Sequence, residues 1–548
     1  MEEKLMKKLL AFVLALFMMT GIVMLVASCG DNTDPAKTQG TTTSATTAST
    51  PKSGDETPGG NTSSSEGGNT STTGSSSQGG EVTPTTDTSA TPQGGDTNPD
   101  GDGYSKPAGY LDVDFGGRTF NFVTTSDWSD EVGRWNTERE IAVESRTGGT
   151  IIDTAVYDRN QVMKRLYNCE IKAVEGDAGT LISNDVNSGT NEYDFGSSEY
   201  VQYLTNKSGY YINMYDLDLD MNLPGWNKTL FDQMTVRDSN GVDKLYIFDG
   251  DFNVVGYRGV WVLFCNLDLY NANFSESIFD IVNRGEWTVD KMIEMVSAVA
   301  QDNGDQTWTG GEDTFGLMSS TYNSIGVITS MGIRLVGVDA ATHTFSTSVD
   351  QILANNAVEA VDKAGELYAL EGVYVGSYSL AAEELQAGRT LFMGEVLDVL
   401  ERMKDNESLN VTVLPEPLYQ AQEDPTYMFY VQNKTSYYRV SKNACGGDKE
   451  MISDFLNVFV YHSNKIVYPA FLQTFGSVYC QDERAIDMLQ YIVDGRQYDL
   501  GYYKGNVMGL LQEMIHTNKN QMNRAANQWK NSLQTQIDTL VADISASE

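Results

Sequence analysis

The sequence predicts an α/β protein of two doubly wound lobes set behind a long unfolded leader. Three observations predict it. Strand-like and helix-like hydrophobic patterns alternate from residue 118 to residue 544. About 440 residues remain once the leader is set aside, more than one compact core accommodates. One continuous apolar run, "GVWVLFCN" (259–266), is long enough to leave one lobe and enter another.

The first element is the leader. Lys4, Lys7 and Lys8 precede an uncharged, mostly apolar run from Leu9 to Val26 that ends in the small residues Ala27 and Ser28. That run is at the short end for a membrane span, which needs about 20 apolar residues, and it fits an export signal over residues 1–28. Val26-Ala27-Ser28-Cys29 resembles a bacterial lipobox. The resemblance implies that the Cys29 thiol is diacylated (the palmitate-type modification) and becomes the new N-terminus. Two acyl chains hold a protein on a bilayer where one barely does.

Residues 29–105 read as a linker. From Gly30 to Gly103 there is no Phe, Trp, Tyr, Leu, Ile or Met, and Val82 is the only branched aliphatic residue. A chain of Thr, Ser, Gly, Pro and Asp cannot bury enough apolar surface to offset its ordering entropy. As a flexible coil it would span ~45–50 Å root-mean-square, and ~250 Å when pulled straight. Such a reach suits a thick cell wall. The expected location is therefore the extracellular face of the cell membrane in a Gram-positive-type envelope, with the folded body at 106–548.

Within the body, "RTFNFVT" (118–124) alternates as a strand. "IIDTAVYDRNQVMKRLY" (151–167) places Ile152, Val156, Val162, Met163 and Leu166 on one helical face. "CEIKAV" (169–174) and "YDFGSS" (193–198) are further strands, and a helix is expected to begin within Glu199–Lys207. In doubly wound sheets ligands bind beyond the carboxyl ends of the strands. That rule singles out "TTSDW" (124–128) and "SSEY" (197–200) as rim loops with aromatic tips.

"RGEWTVDKMIEMVSAVA" (284–300) carries an apolar stripe behind the N-cap Thr288. "AAEELQAGRTLFMG" (381–394) is a helix stopped by Gly388 and followed by a strand, and "VTVLPEP" (411–417) is a strand halted by Pro415. "DKEMISDFLNVFVYH" (448–462) and "NQMNRAANQWKNSLQTQIDTLVADI" (520–544) are amphipathic helices.

Composition narrows the partners. A formal net charge of −38 argues against nucleic acid and against anionic lipid. Cys169, Cys265, Cys445 and Cys480 form no CxxC pair and are expected as buried free thiols. With three histidines in the chain and no metal or nucleophile motif, no catalytic residue, metal or cofactor is expected. "QDNGDQTWTGGED" (301–313) has acidic and amide residues at calcium-loop-like spacing, but Gln306 stands where such loops need glycine, so it reads as a polar loop.

In this order and spacing, the lipobox, "YDFGSSEY", "VLFCNLDLY", "GEWTVDKMIEM", "LQAGRTLFMGE", "VTVLPEP" and the helix from Asp448 resemble the family 1 extracellular solute-binding proteins of ABC importers, mostly carbohydrate binders. The resemblance spans residues 110–545. It departs from the family at Arg389, where lysine is common, and at Glu395-Val396, where an aromatic often stacks on sugar.

The resemblance implies a two-lobed periplasmic-binding-protein-like fold (type II) with a hinge. Lobe 1 would take about 110–263 with 434–468, and lobe 2 about 268–433 with 469–545. It implies a monomer that delivers a sugar or oligosaccharide to a permease. The ligand contacts would be Asp127, Trp128, Ser198, Glu199, Tyr200, Tyr322, Asn323 and Glu395, to which the residues before the crossing run add Asp251 and Tyr257. Rings pack on the C–H faces of pyranoses, and carboxylates and amides take their hydroxyls. Two alternatives stand beside this reading: a surface-anchored glycan hydrolase using paired carboxylates, and a binding protein for a peptide or polyol.

Overall fold

The structure, a computed structural model, describes residues 103–125, 137–198, 204–206, 208–403, 406, 409–432, 435–504 and 507–546. The leader, Cys29 and the linker up to residue 102 lie outside them.

The first sheet grows from β1 (Arg118–Thr124), flanked by β2 (Cys169–Glu175) and β3 (Phe195–Ser198). All three run parallel, with Arg118 opposite Cys169 and Phe122 opposite Phe195. Helix α1 (Glu138–Ile141) precedes α2 (Ile151–Tyr167), which connects β1 to β2; its N-cap Thr150 accepts from the Asp153 amide in a capping box. Helix α3 (Ala178–Ser188) connects β2 to β3. The sheet is completed by a strand from far along the chain, β10 (Tyr437–Val440), antiparallel to β3. The strand order is β10-β3-β1-β2.

The second sheet repeats this plan. Its strands are β4 (Trp261–Asn266), β5 (Phe315–Ser320), β6 (Val373–Gly376), β7 (Thr390–Val396) and β8 (Val411–Leu414), in the order β6-β5-β7-β4-β8. Four are parallel, and β4 runs against β7 and β8. In both sheets the first parallel strand of the sheet lies between the second and the third, and an antiparallel strand follows the third. This repeated order is the expected two-lobed type II arrangement of α/β sheets.

Burial explains the sequence patterns. Every residue of β4 and β7 is buried, which is why β4 reads as a nearly continuous apolar run rather than an alternating one. In the first sheet an aromatic cluster forms the core. Phe120 stacks on Phe455 at 3.7 Å, and Phe122 meets Phe195 at 4.5 Å and Phe459 at 5.5 Å. Phe455 and Phe459 come from α9 (Lys449–Leu472), a helix ten residues longer than its apolar stripe indicates. Polar Ser463 and Asn464 do not end it, because Ser463 bonds back to the Phe459 carbonyl at 2.8 Å and Asn464 donates to Asp251 at 2.7 Å.

Helix α5 (Val289–Val299) has the expected Thr288 cap on the Lys291 amide, and the helix ahead of β7 is followed by Gly388 at φ +74°. Residues 204–206 of the expected helix after β3 are not helical, and the rest of that segment lies outside the described residues. Cys169, Cys265, Cys445 and Cys480 are free and buried. In the polar loop Gln306 takes φ +63°, the left-handed position a calcium loop gives to glycine. Its Asp302 and Asp313 carboxylates accept backbone amides of Gly304, Gln306, Asn303 and Thr309. Among the described residues no group of His, Cys, Asp and Glu is arranged to hold a metal, and no helix is long and apolar enough to cross a membrane.

A buried polar network joins the first-sheet segment to the C-terminal one. Asp249 accepts from Arg496 at 3.3 Å, from Asn227 at 2.6 Å and from Asn253 at 2.8 Å, and Arg496 lies over the Tyr257 ring at 4.6 Å. Burial works against the Arg496 charge, but Tyr498, Tyr257, Asp249 and Asp251 together hold its guanidinium above the ordinary range. Removing one partner of a buried ion pair leaves an uncompensated charge and costs about 3–5 kcal/mol. Arg496→Met and Asp249→Asn are each expected to lower stability by that amount, read from urea titration at neutral pH. The first leaves the Asp249 carboxylate without its cation; the second leaves the Arg496 charge unbalanced and sets an NH2 group against Asn227 or Asn253.

Candidate functional site

The two sheets are joined at their carboxyl edges. The chain leaves the first-sheet segment through helix α4 (Val254–Arg258) and enters the second sheet at Trp261, which pairs with Val396 at the carboxyl end of β7. It returns by entering the first sheet at Tyr437, which pairs with Ser198 at the carboxyl end of β3. The two passages run side by side. Val260 bridges Val431 in antiparallel fashion, and the Gln432 amide donates to the Gly259 carbonyl at 2.9 Å. A side chain at Gly259 would collide with Thr435, so this close approach requires glycine. The ends of β1 and β3 in one sheet and of β5, β7 and β8 in the other thus face a common junction. In open α/β sheets that is where ligands bind.

The second-sheet edge is lined by buried polar groups. β5 ends in Ser319 and Ser320, Tyr322 precedes α6 (Asn323–Ser330), β7 contributes Glu395, and Glu416 follows β8 between two prolines. Tyr368, the last residue of α7 (Ala357–Tyr368), reaches the same place. Hydrogen-bond partners of ordinary geometry are lacking for Ser319 Oγ, Ser320 Oγ, both amide atoms of Asn323, Tyr368 Oη, both carboxyl oxygens of Glu416 and Trp261 Nε1. Unpaired buried polar atoms are costly and uncommon. Such a concentration on one sheet edge marks a place built for something other than stability. Glu395 is buried at 6% exposure, and the Val396 amide donates to its Oε1 at 3.0 Å.

Two buried carboxyls flank the junction. Glu140, on α1, accepts from the Tyr438 hydroxyl and, at 2.9 Å, from the Val255 amide of α4. It ties the outgoing passage to the returning strand. Burial pushes its carboxyl up to about 8 against the lowering effects of Tyr438, Val255 and Arg258. Burial pushes Glu416 up to about 8 as well, opposed only by Asn323.

The sequence-derived contacts fall into three groups. Asp127, Trp128, Glu199 and Tyr200 lie outside the described residues, and Ser198 is placed by its backbone at the end of β3. Tyr322 and Glu395 stand together on the second-sheet edge.

Tyr257, Asp251 and Asn323 differ from expectation. The Tyr257 hydroxyl donates to Asp251, and its ring is 1% exposed, packed on Phe471 at 4.7 Å. It presents no face to a sugar. Asp251 spends its carboxylate on Tyr257 and Asn464. Asn323 is wholly buried. Sequence reasoning missed Glu140, Glu416, Tyr368 and Trp261. The available signal was Glu416 itself, a single acid inside the apolar stretch "VTVLPEPLY".

No family model and no curated protein matches the chain. Among solved structures, the GacH receptor of Streptomyces glaucescens is 13% identical with a TM-score of 0.44, over 77% of this chain and 98% of that one. An ABC substrate-binding protein from Listeria monocytogenes, in complex with cycloalternan, is 12% identical with a TM-score of 0.44, over 77% and 99%. The galacto-N-biose-/lacto-N-biose I-binding protein of the ABC transporter from Bifidobacterium longum is 12% identical with a TM-score of 0.43, over 78% and 98%.

The raised Glu140 carboxyl makes a pH prediction. The folded form holds its proton up to about 8, whereas an exposed glutamate releases it near 4.5. Its contribution to stability is present in full below 4.5 and is lost as pH rises toward 8. Across that window the slope is about 1.4 kcal/mol per pH unit. Glu140→Gln keeps an acceptor for the Val255 amide, with the Tyr438 hydroxyl turning to accept from the new NH2 group, and should flatten the slope by that amount in urea titrations against pH.

Proposed function

We propose that this protein is a membrane-anchored extracellular solute-binding protein of the family 1 type, which captures a sugar or oligosaccharide between two lobes and hands it to an ABC permease. The observation that carries the reading is the junction: two sheets of the same order, joined edge to edge by side-by-side passages, with the hydroxyls of Ser319, Ser320 and Tyr368 lacking well-formed partners along one edge. Hydroxyl-rich ligands both donate and accept, and so pair with such groups.

The passages around Val260 and Val431 are the hinge between the two lobes in this reading. Ligand shifts an open–closed equilibrium through its greater affinity for the closed form. Trp128 and Tyr200 supply stacking rings from the first lobe; Asp127, Ser198, Glu199, Tyr322 and Glu395 supply hydrogen bonds. The protein acts as a monomer, without cofactor or catalysis, and returns its ligand unchanged. Cys29 carries the lipid anchor, and the linker spans the wall.

Calorimetric titration with a panel of malto-, cello-, xylo- and galacto-oligosaccharides tests the reading. At least one is expected to bind, and to be recovered intact; turnover of the ligand would instead favour a hydrolase. Trp128→Ala and Tyr200→Ala should each cost about 2 kcal/mol or more, ~30-fold in affinity. Wild-type affinity in both variants would place the site elsewhere. Separately, Cys29→Ala should move the protein from the membrane fraction to the medium, with its melting temperature unchanged.

A further inference from the structure

Asn323 is the first residue of α6, yet it caps nothing and is wholly buried. Its amide lies where the Cβ of residue 394 would be, so only glycine fits at Gly394, directly before Glu395 in β7. Its Oδ1 stands 3.5 Å from the position a Cβ would take at Gly326, and Glu416 Oε1 stands 3.1 Å from that same position. Two glycines, one on β7 and one on α6, thus make room for one amide and one carboxyl that face each other. Glu416 is 1% exposed. The groups acting on it are Asn323 from α6 and Tyr368 from α7; Glu395 on β7 is the other carboxyl of this edge.

We propose that Glu416 and Asn323 are a positioning pair, coupled as neutral acid and amide, that locks the start of α6, packed against Gly394 of β7, to the segment after β8 and so sets Tyr322 and Glu395 for the ligand. The pair takes no part in contact with the ligand itself. This rests on the binding site proposed above. A buried carboxyl with no counter-charge gives up its charge rather than bear it unsolvated. A neutral acid offers the amide both a donor and an acceptor, whereas a carboxylate offers acceptors alone. Amide orientation is free to suit, since the two ends of an asparagine differ only in their hydrogen bonds. The lock therefore holds while Glu416 keeps its proton and loosens when it is lost. The raised carboxyl described above places that loss near the alkaline side of neutrality.

The test compares wild type with Glu416→Gln, which preserves shape and cannot ionise, and with Glu416→Leu, which leaves Asn323 alone. Affinity for the tightest oligosaccharide of the panel, and melting temperature without ligand, are measured from about pH 6.5 to about pH 9. If only the protonated form binds, apparent affinity falls about tenfold one unit above the transition. Wild type should show this loss, and Glu416→Gln should stay within about threefold of its own starting value. Glu416→Leu should melt cooperatively but bind about tenfold more weakly throughout. Parallel pH profiles for wild type and Glu416→Gln would overturn the proposal, as would full affinity in Glu416→Leu. A panel without a binder would sink the sugar reading instead. The melting profiles then decide the pair alone: Glu140 lowers both with rising pH, so a steeper fall in wild type than in Glu416→Gln supports it, and coincident profiles reject it.

Discussion

The buried Asp249–Arg496 pair is the constraint on which the rest of the body depends. Asp249 lies just ahead of the passage out of the first-sheet segment, and Arg496 follows the helix at Arg484–Asp494, well beyond the returning strand. Neither charge tolerates burial alone. Each is acceptable only when Asn227, Asn253 and the Tyr257 ring converge on the same point. That convergence fixes where the C-terminal segment docks. The docking is reinforced by Gln233 with Gln497 at 2.7 Å and by Asn227 with the Tyr498 hydroxyl at 2.7 Å. An apolar contact would have allowed the segment to slide; a directional one does not.

Satisfied and unsatisfied polarity divide the interior. Around Asp249 the side chains of Arg496, Asn227 and Asn253 are paired with its carboxylate and Gln233 with Gln497, and the network is structural. On the second-sheet edge, the hydroxyls of Ser319, Ser320 and Tyr368 lack well-formed partners at the same depth. Stability alone would favour apolar residues there. Retaining polar ones fits a binding edge, where hydroxyls of a ligand or the rearrangement of a loop complete the bonds. Glu140 belongs to neither class. Its two partners come from the outgoing helix and the returning strand, so it couples the two passages rather than a ligand.

The elements were readable in the sequence where local physics sufficed. The helix at 151–167 and the strand at 118–124 occupy their expected limits, because cap, periodicity and burial agree there. The helix from Lys449 outran its apolar stripe, since the partners of Ser463 and Asn464 are invisible along the chain. The site was less readable. Tyr257 and Asn323 had the right chemistry for a sugar, and folding turned both inward. Glu416 had the signal of an acid in an apolar run, but its meaning depends on two glycines, Gly326 and Gly394, that are remote in sequence.

By itself the sequence determined the alternation of strands and helices in the body and the crossing strand at 261–266. These follow from hydrophobic period, composition and turn chemistry, each a property of neighbouring residues. Tertiary structure alone decided that β10 joins the first sheet and β4 the second, that Arg496 meets Asp249, and which polar side chains are left unpaired at the junction. Those outcomes depend on what lies against a side chain in space, and no local pattern encodes the burial that sets the cost of a charge.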